Sequence, residues 1–295
     1  MRIITYRDGA ADRLGVVADD HALPADALLP SGPTTMAALL AGGPGSLQAL
    51  AGAAADAGPR IAAEGTLLSE LELLSPVPRP GKVVAIGLNY FAHAAEQGTS
   101  PPEEPLVFAK FTTAVVGHGA EIRWDPALTG QVDYEAELAV VIGRTARRVG
   151  QAEALAYVLG YTCANDVSAR DLQFGDRQWV RGKSLDTFCP LGPVLVTSDE
   201  IPDPQVLSLS CTVSGERLQE GSTADMIFPV ARLVSHCSQA FTLEPGDVIV
   251  TGTPPGVGVH RTPQRFLRDG DVVEVEIEGI GRLVNVCHTE PASAG

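Results

Sequence analysis

The segment from Asp133 to Gly143 alternates in the way that a β-strand requires. Its even-numbered positions are all apolar, whereas its odd-numbered positions begin with three acids, Asp133, Glu135 and Glu137. Successive side chains of a strand point to opposite faces, so we expect one face to enter the core and the other to present the acids together. Carboxylates this close repel each other unless a positive charge lies between them. Oxygen ligands suit hard divalent cations, so the segment predicts a site for Mg²⁺, Mn²⁺ or Ca²⁺.

Asp166 is the candidate for a third ligand. It follows a predicted strand, Tyr161–Asn165, within Asn-Asp-Val-Ser-Ala-Arg-Asp-Leu-Gln. Alternation along one strand does not bring Asp166 to Glu135, and the fold has to do so. The alternative is a solvated acidic strand face beside an unrelated turn aspartate. Asp133 is the weaker member of the group, because it can belong to the start of the strand.

Charge and composition argue against several classes of function. The 295 residues include 21 Lys and Arg against 36 Asp and Glu, a net charge of −15, which argues against nucleic acid or an anionic membrane as a partner. No apolar segment approaches the ~20 residues of a membrane span, and the N-terminus lacks the apolar region of a signal peptide. The five cysteines form no Cys-x-x-Cys pair, which indicates reduced thiols. We therefore expect a cytoplasmic protein.

The chain divides at a proline-rich joint, Ser75–Gly81, which is extended because proline fixes φ and removes a backbone donor. We expect a small N-terminal α/β domain over residues 1–75 and a larger domain over residues 76–295. Strands dominate the larger domain and are not regularly followed by helices, which favours an antiparallel-rich α+β fold or β-roll. Its predicted helices are Ala92–Gln97, Ala152–Leu159 and Val230–Phe241, and a hairpin is predicted over residues 272–288.

His93 and Glu96 form a candidate catalytic pair. They lie three residues apart on a predicted helical turn, so they share a face. A carboxylate beside an imidazole orients the ring and raises its basicity, which suits a general base acting on water. The Gly- and Pro-containing segment Gly98–Glu104 follows and predicts a mobile lid. The alternative is an ordinary helix with an exposed His and Glu.

Polar side chains suited to an anion occur in two further places. Arg170, Gln173 and Lys183, with Lys110 upstream, could meet a substrate carboxylate or a developing enolate. The Gly-rich turn around Thr253 offers backbone N–H groups that could cradle an anion, but it lacks the pattern of a phosphate-binding loop. The alternatives are salt-bridged surface cations and a plain turn.

Together and in this order, these segments resemble the fumarylacetoacetate hydrolase family over roughly residues 82–288. The motifs that carry the resemblance are Gly-Leu-Asn-Tyr with the His and Glu that follow it, Asp-Tyr-Glu-x-Glu-Leu, Asn-Asp-Val-Ser-Ala-Arg-Asp-x-Gln, Gly-Lys-Ser-x-Asp-Thr-Phe and Gly-Thr-Pro-x-Gly-Val-Gly. One departure is Phe111, where many members have a proline after the lysine that Lys110 matches, and this puts the role of Lys110 in doubt.

The resemblance implies a fold and a set of site residues. The implied fold is a mixed β-roll or β-sandwich catalytic domain with a small N-terminal domain, in a homodimer. The implied cofactor is a divalent metal, Mg²⁺ or Mn²⁺ with Ca²⁺ as a further choice. The implied metal ligands are Glu135, Glu137 and Asp166. The implied catalytic residues are His93, Glu96 and Lys183. The implied substrate-binding residues are Tyr90, Arg170, Gln173 and Thr253.

The leading functional hypothesis is metal-dependent hydrolysis of a C–C bond in a β-diketo acid such as an acylpyruvate. His93, oriented by Glu96, would take a proton from water, and Lys183 with the metal would stabilise the enolate that cleavage leaves. The alternative is a lyase or isomerase on the same site, which decarboxylates oxaloacetate or isomerises an unsaturated 2-oxo diacid. A third hypothesis is a non-catalytic metal-binding scaffold, which the presence of all three catalytic candidates argues against.

Overall fold

The computed structural model of the chain describes residues 1–290. Its strands, in chain order, are β1 (Arg2–Asp8), β2 (Ala11–Ala18), β3 (His21–Pro24), β4 (Thr66–Leu67), β5 (Val83–Gly87), β6 (Leu106–Lys110), β7 (Val115–Val116), β8 (Glu121–Trp124), β9 (Val132–Asp133), β10 (Ala136–Ile142), β11 (Val158–Asn165), β12 (Ser168–Ala169), β13 (Cys189–Thr197), β14 (Ser208–Val213), β15 (Glu216–Ser222), β16 (Val248–Val250), β17 (Val272–Ile277) and β18 (Gly281–Thr289).

Its α-helices are α1 (Ala25–Leu28), α2 (Met36–Ala41), α3 (Gly43–Ala54), α4 (Gly58–Glu64), α5 (Phe91–Glu96), α6 (Arg170–Asp176), α7 (Val180–Lys183) and α8 (Val230–Ala240). Its 3₁₀ helices are Leu68–Glu70, Thr112–Ala114, Gln151–Tyr157, Thr223–Asp225 and Gly258–His260.

Within residues 1–290, the strands form a large sheet of 11 strands, a smaller one of five and a two-stranded sheet of β9 and β12. The large sheet runs in the order β4-β3-β2-β1-β13-β11-β10-β16-β5-β6, with β7 paired in parallel to β13. Most pairs are antiparallel, as the irregular succession of strands and helices predicts, although β16 pairs with β5 in parallel. The N-terminal strands join this sheet because β1 pairs with β13. The boundary between two domains at residue 75 stays a prediction.

Strand β10 lies at the centre of the fold and is buried on both faces. Its even-numbered residues, such as Leu138 and Val140, face a core shared with the five-stranded sheet, which packs on β10, β11 and β13. Its odd-numbered residues Ala139 and Val141 face a second core, to which the N-terminal helices contribute. The expected division into a core face and an acidic face is therefore wrong for most of the strand. Asp133 and Glu135 precede β10 and Glu137 is its second residue, and beyond Glu137 the sheet is covered on both sides.

Most local predictions are confirmed. The hairpin of β17 and β18 spans the predicted residues, and α5 and α8 lie within one residue of their predicted bounds. The predicted helix Ala152–Leu159 is wrong, because Gln151–Tyr157 forms a 3₁₀ helix and β11 begins at Val158. The physical reason is pairing between β-formers, since Val158 lies opposite Ile142 of β10 and extends the central ladder.

Candidate metal and substrate site

Three buried carboxylates form a cluster where β10 begins and β11 ends. One oxygen from each of Glu135, Glu137 and Asp166 lies within 4.8 Å of the other two. The antiparallel pairing explains this meeting, because Ala136 lies opposite Asn165 and the backbone N–H of Asp166 donates to the carbonyl of Glu135 at 2.9 Å. The three candidate metal ligands are therefore brought together, and their exposed fractions are 6%, 1% and 1%.

The chemistry of the cluster fits a divalent cation. Hard cations lie about 2.0–2.6 Å from their oxygen ligands, so oxygens on opposite sides of one ion are about 4–5 Å apart, and the observed spread of 4.8 Å is compatible. From the described residues 1–290, Glu137 receives a single hydrogen bond, from the backbone N–H of Gly252 at 2.7 Å. Burial and the charges of Asp166 and Glu135 raise the pKa of Glu137 well above its usual range. A bound cation would relieve this repulsion.

Two lysines compensate part of the negative charge. Nζ of Lys183 donates to Glu135 at 2.8 Å and to Asp166 at 2.7 Å, and Nζ of Lys110 pairs with the other oxygen of Asp166. Burial by itself raises the pKa of Glu135, but Lys183 and Arg170 outweigh burial and hold that pKa at about 2. The predicted position of Lys183 beside the carboxylates is thus observed. Lys110 reaches the same cluster although Phe111 replaces the proline typical of the family.

Asp133 does not belong to the cluster. Its carboxylate accepts hydrogen bonds from Nε of Arg170 at 2.8 Å and from the backbone N–H groups of Gly258 at 2.7 Å and Val259 at 3.0 Å. Arg170 in turn pairs with Glu135 at 2.7 Å and donates to Oε1 of Gln173 at 3.0 Å. Asp133 is therefore an anchor that fixes both Arg170 and the turn after the Gly-rich loop.

The predicted His93–Glu96 pair is present on the short helix α5. Nδ1 of His93 lies 2.9 Å from Oε2 of Glu96, and the amide of Gln97 lies 2.8 Å from Nε2 of His93. The backbone N–H of Gly256 donates to the other oxygen of Glu96 at 2.9 Å, which ties α5 to the Gly-rich loop. Although burial opposes it, hydrogen bonds from His93 and Gly256 lower the pKa of Glu96, so that carboxylate orients the imidazole as an anion.

One small cavity of about 130 Å³ is lined by Glu135 and Glu137 of the carboxylate cluster and by His93, whereas Asp166 and Glu96 lie behind its wall. Its lining includes Ile86, Gly87, Leu88, His93, Gln97, Phe108, Glu135, Glu137, Arg170, Gln173, Phe174, Trp179, Lys183, Thr253 and His260. The hydroxyl of Thr253 is held by Gln219 and by the carbonyl of Ala136 at 2.8 and 2.9 Å. A larger groove of about 600 Å³ lies against α2 and the proline-rich joint, and none of the candidate residues lines it.

Two predictions and two omissions concern the edge of the cavity. Tyr90 is buried outside the lining, and within residues 1–290 its hydroxyl has no hydrogen-bond partner, so its substrate role stays a prediction. The residues Gly98–Glu104 do not line the cavity either, and the lid also stays a prediction. Sequence reasoning missed Gln97 and His260. Gln97 directly follows the predicted His93–Glu96 pair, and His260 lies two residues after the Gly-rich turn. These positions were the sequence features that could have identified them.

Comparisons with known proteins support the resemblance found in the sequence. The family described as fumarylacetoacetate (FAA) hydrolase, C-terminal, matches residues 82–287. A relative named oxaloacetate tautomerase FAHD2B, mitochondrial, from Bos taurus is 49% identical over 219 residues, which are 74% of this chain and 69% of that protein. The location of this chain stays a prediction. In the described part of the chain, no helix is long and apolar enough to cross a membrane.

Two solved structures extend the likeness to the whole fold. A fumarylacetoacetate hydrolase from Exiguobacterium antarcticum is 36% identical with a TM-score of 0.84 and covers 98% of this chain and 100% of its own. A maleylpyruvate hydrolase from Sphingobium sp. SYK-6, solved with manganese(II) ion and pyruvate, is 30% identical with a TM-score of 0.78 and covers 98% of this chain and 99% of its own. The predicted fold class is confirmed.

Proposed function

The chain belongs to the fumarylacetoacetate hydrolase family, and we propose that it is a divalent-metal-dependent enzyme that interconverts the enol and keto forms of a small 2-oxo acid such as oxaloacetate. The observation that carries the proposal is one small cavity that is lined both by Glu135 and Glu137 of the carboxylate cluster and by His93, whose ring is held by Glu96 behind it. The 49% identity to an oxaloacetate tautomerase supports the choice of reaction.

Glu135, Glu137 and Asp166 would hold the metal. A divalent cation there would bind oxygen atoms of the 2-oxo acid and make the neighbouring carbon more acidic. Lys183 lies 2.7–2.8 Å from two of these carboxylates, so its ammonium group is fixed where negative charge develops on the substrate. Arg170 and Gln173, bonded to each other at 3.0 Å, offer further donors on the same wall.

His93 is the group suited to carry the proton. In the enol form, Nε2 would accept the proton of the hydroxyl on C2, and it would then return a proton to C3 to give the keto form. Glu96 holds Nδ1 at 2.9 Å and stabilises the imidazolium between these two steps. Nε2 is bonded to Gln97 at 2.8 Å, so a bound substrate has to replace that amide.

The size of the cavity favours a small substrate. Its volume of about 130 Å³ is below the roughly 300–1,000 Å³ of common ligand pockets and near the roughly 150 Å³ that holds benzene. A four-carbon 2-oxo acid fits this scale more easily than a long acylpyruvate does. Tautomerisation also needs no space for an attacking water.

The test follows the decay of enol-oxaloacetate by its ultraviolet absorbance and the entry of solvent deuterium at C3 by NMR. We expect the Mg²⁺- or Mn²⁺-loaded protein to accelerate both and the chelated protein to accelerate neither. His93→Gln should lose the acceleration, whereas His288→Gln, at a residue with a 47% exposed side chain, should keep it. An uncatalysed rate with the metal-loaded wild type would refute the proposal.

The second candidate is hydrolysis of a C–C bond in an acylpyruvate. It is favoured by the 30% identity to a maleylpyruvate hydrolase bound to manganese and pyruvate, and by a histidine–carboxylate pair that suits activation of water. Reaction in H₂¹⁸O separates the candidates, because hydrolysis places label in the released acid and tautomerisation does not. Release of CO₂ from oxaloacetate without label would instead indicate the decarboxylase alternative.

We also propose a homodimer. Large apolar side chains are exposed on elements around the cavity, and a surface of this kind marks contact with another protein. They are Phe91, Leu106, Val107, Phe111 and Phe174. Light scattering should give twice the chain mass for the wild type and a smaller mass after Phe111→Glu. A monomeric wild type would refute this assignment.

A further inference from the structure

We propose that His260 is a specificity-determining residue that binds the second carboxylate of a dicarboxylic 2-oxo acid. The inference rests on the proposed function and names the substrate class of the same site. It concerns the end of the substrate that is remote from the carboxylate cluster.

The fold places His260 at the cavity wall on an anchored turn. It ends the 3₁₀ helix Gly258–His260, whose first two N–H groups donate to the buried carboxylate of Asp133 at 2.7 and 3.0 Å. The same carboxylate binds Arg170 at 2.8 Å, so one anchor sets the positions of His260 and of Arg170. The ring of His260 meets that of His93 edge to face, with 6.3 Å between centroids.

The donors on this wall have spare capacity. Within residues 1–290, neither ring nitrogen of His260 has a hydrogen-bond partner, and the residue is only partly buried. Gln173 uses its oxygen to accept from Arg170, and its amide N–H₂ group has no partner in the same range. An apolar acyl chain would leave both groups unpaired once water is excluded, which is unfavourable. A carboxylate would satisfy both.

Charge balance also points to His260. The charges of the three buried cations are already balanced, since Lys110 and Lys183 pair with the carboxylate cluster and Arg170 pairs with Asp133 and Glu135, although Nη2 of Arg170 still has a hydrogen bond to offer. A second substrate carboxylate therefore finds no unpaired lysine or arginine among the residues lining the cavity. Burial, with the nearby charges of His93 and Arg170, lowers the pKa of His260. A substrate carboxylate beside the ring acts in the opposite direction, so the ring can take up a proton as the ligand binds and supply the missing charge.

The test compares two ligands that differ by one carboxylate and that cannot tautomerise. L-Malate and L-lactate are titrated by calorimetry into the full chain with saturating Mg²⁺. We expect the wild type to bind malate at least about tenfold more tightly, the effect of one charge-assisted hydrogen bond. His260→Phe should lose this preference. His260→Gln, which keeps a donor but cannot be charged, should retain part of it, and His288→Gln should retain all of it.

Every outcome is decisive. Malate that binds no more tightly than lactate, or does not bind, overturns the proposal, as does an unchanged preference in both His260 variants. If His260→Phe does not fold, His260→Gln decides. Because binding needs no turnover, a preference for malate in a protein without tautomerase activity would count against the proposed function and not against this subsite. Tautomerase activity in a protein that does not prefer malate over lactate would count against this subsite and not against the proposed function.

Discussion

Replacement of Asp133 by asparagine removes the anchor on which two parts of the site depend. One carboxylate oxygen accepts from Arg170 at 2.8 Å and from Val259 at 3.0 Å, and the other accepts from Gly258 at 2.7 Å and from Tyr134 at 2.9 Å. An asparagine side chain keeps one acceptor oxygen and places an N–H₂ group where the second oxygen was. Each oxygen of Asp133 accepts from two N–H groups. Whichever way the amide is oriented, two of these four N–H groups therefore face the N–H₂ group of asparagine and lose their acceptor.

The expected loss is large. A hydrogen bond to a charged group contributes about 1.5–3 kcal/mol, so two lost bonds correspond to about 3–6 kcal/mol. Removal of one partner from a buried ion pair costs about 3–5 kcal/mol by itself, and Arg170 is 5% exposed in this pair. We therefore expect Asp133→Asn to lower the free energy of unfolding by about 3–5 kcal/mol, a substantial part of the roughly 5–15 kcal/mol of a typical protein.

Urea unfolding of the metal-free protein, followed by tryptophan fluorescence, measures this loss. Asp56→Asn is the matched control, since Asp56 is exposed on the N-terminal side of the chain and its change should stay within about 0.5 kcal/mol. Malate binding gives a second readout, because an unfixed Arg170 and an unfixed His260 turn should weaken it. If Asp133→Asn unfolds within about 1 kcal/mol of the wild type, the anchor role is refuted.

Three further changes test other parts of the site. Glu137→Gln should weaken Mg²⁺ binding in calorimetry yet raise the unfolding midpoint of the metal-free protein. The reason is that burial and the neighbouring carboxylates raise the pKa of Glu137, so its buried charge destabilises the fold when no metal is bound. A lower midpoint would contradict that reasoning. His93→Gln should reduce turnover by a factor on the order of 10²–10⁴ while metal affinity is unchanged, and a normal rate would remove its role as proton carrier. Gly258→Ala should destabilise the chain and weaken malate binding, because a Cβ at that position would lie 2.0 Å from the carbonyl oxygen of Arg265. Gly175→Ala is the control: a Cβ there would enter open space, so the change should have little effect on either measurement.

The motifs of the chain predicted most of the residues that meet at the cavity. The spacing of Glu135 and Glu137 and the i, i+3 spacing of His93 and Glu96 are local properties, so alternation and helical geometry made these residues candidates, and the family resemblance selected them. The strand-rich pattern and the order of the motifs were enough for the fold class. Asp166 could be named as a partner but not placed, because its distance from Glu135 depends on how β10 and β11 pair.

Only the tertiary structure decided which acids act together. Asp133 shares the alternation of Glu135 and Glu137, yet it bonds to Arg170 and to a turn more than a hundred positions further along the chain. Lys110, at the end of β6, pairs with Asp166 although the two residues are far apart in the sequence. The same is true of Gln97 and His260, whose roles depend on α5 and the Gly-rich loop meeting at Gly256. Contacts of this kind depend on strand pairing and on packing between distant segments. Residue type and local spacing do not predict them.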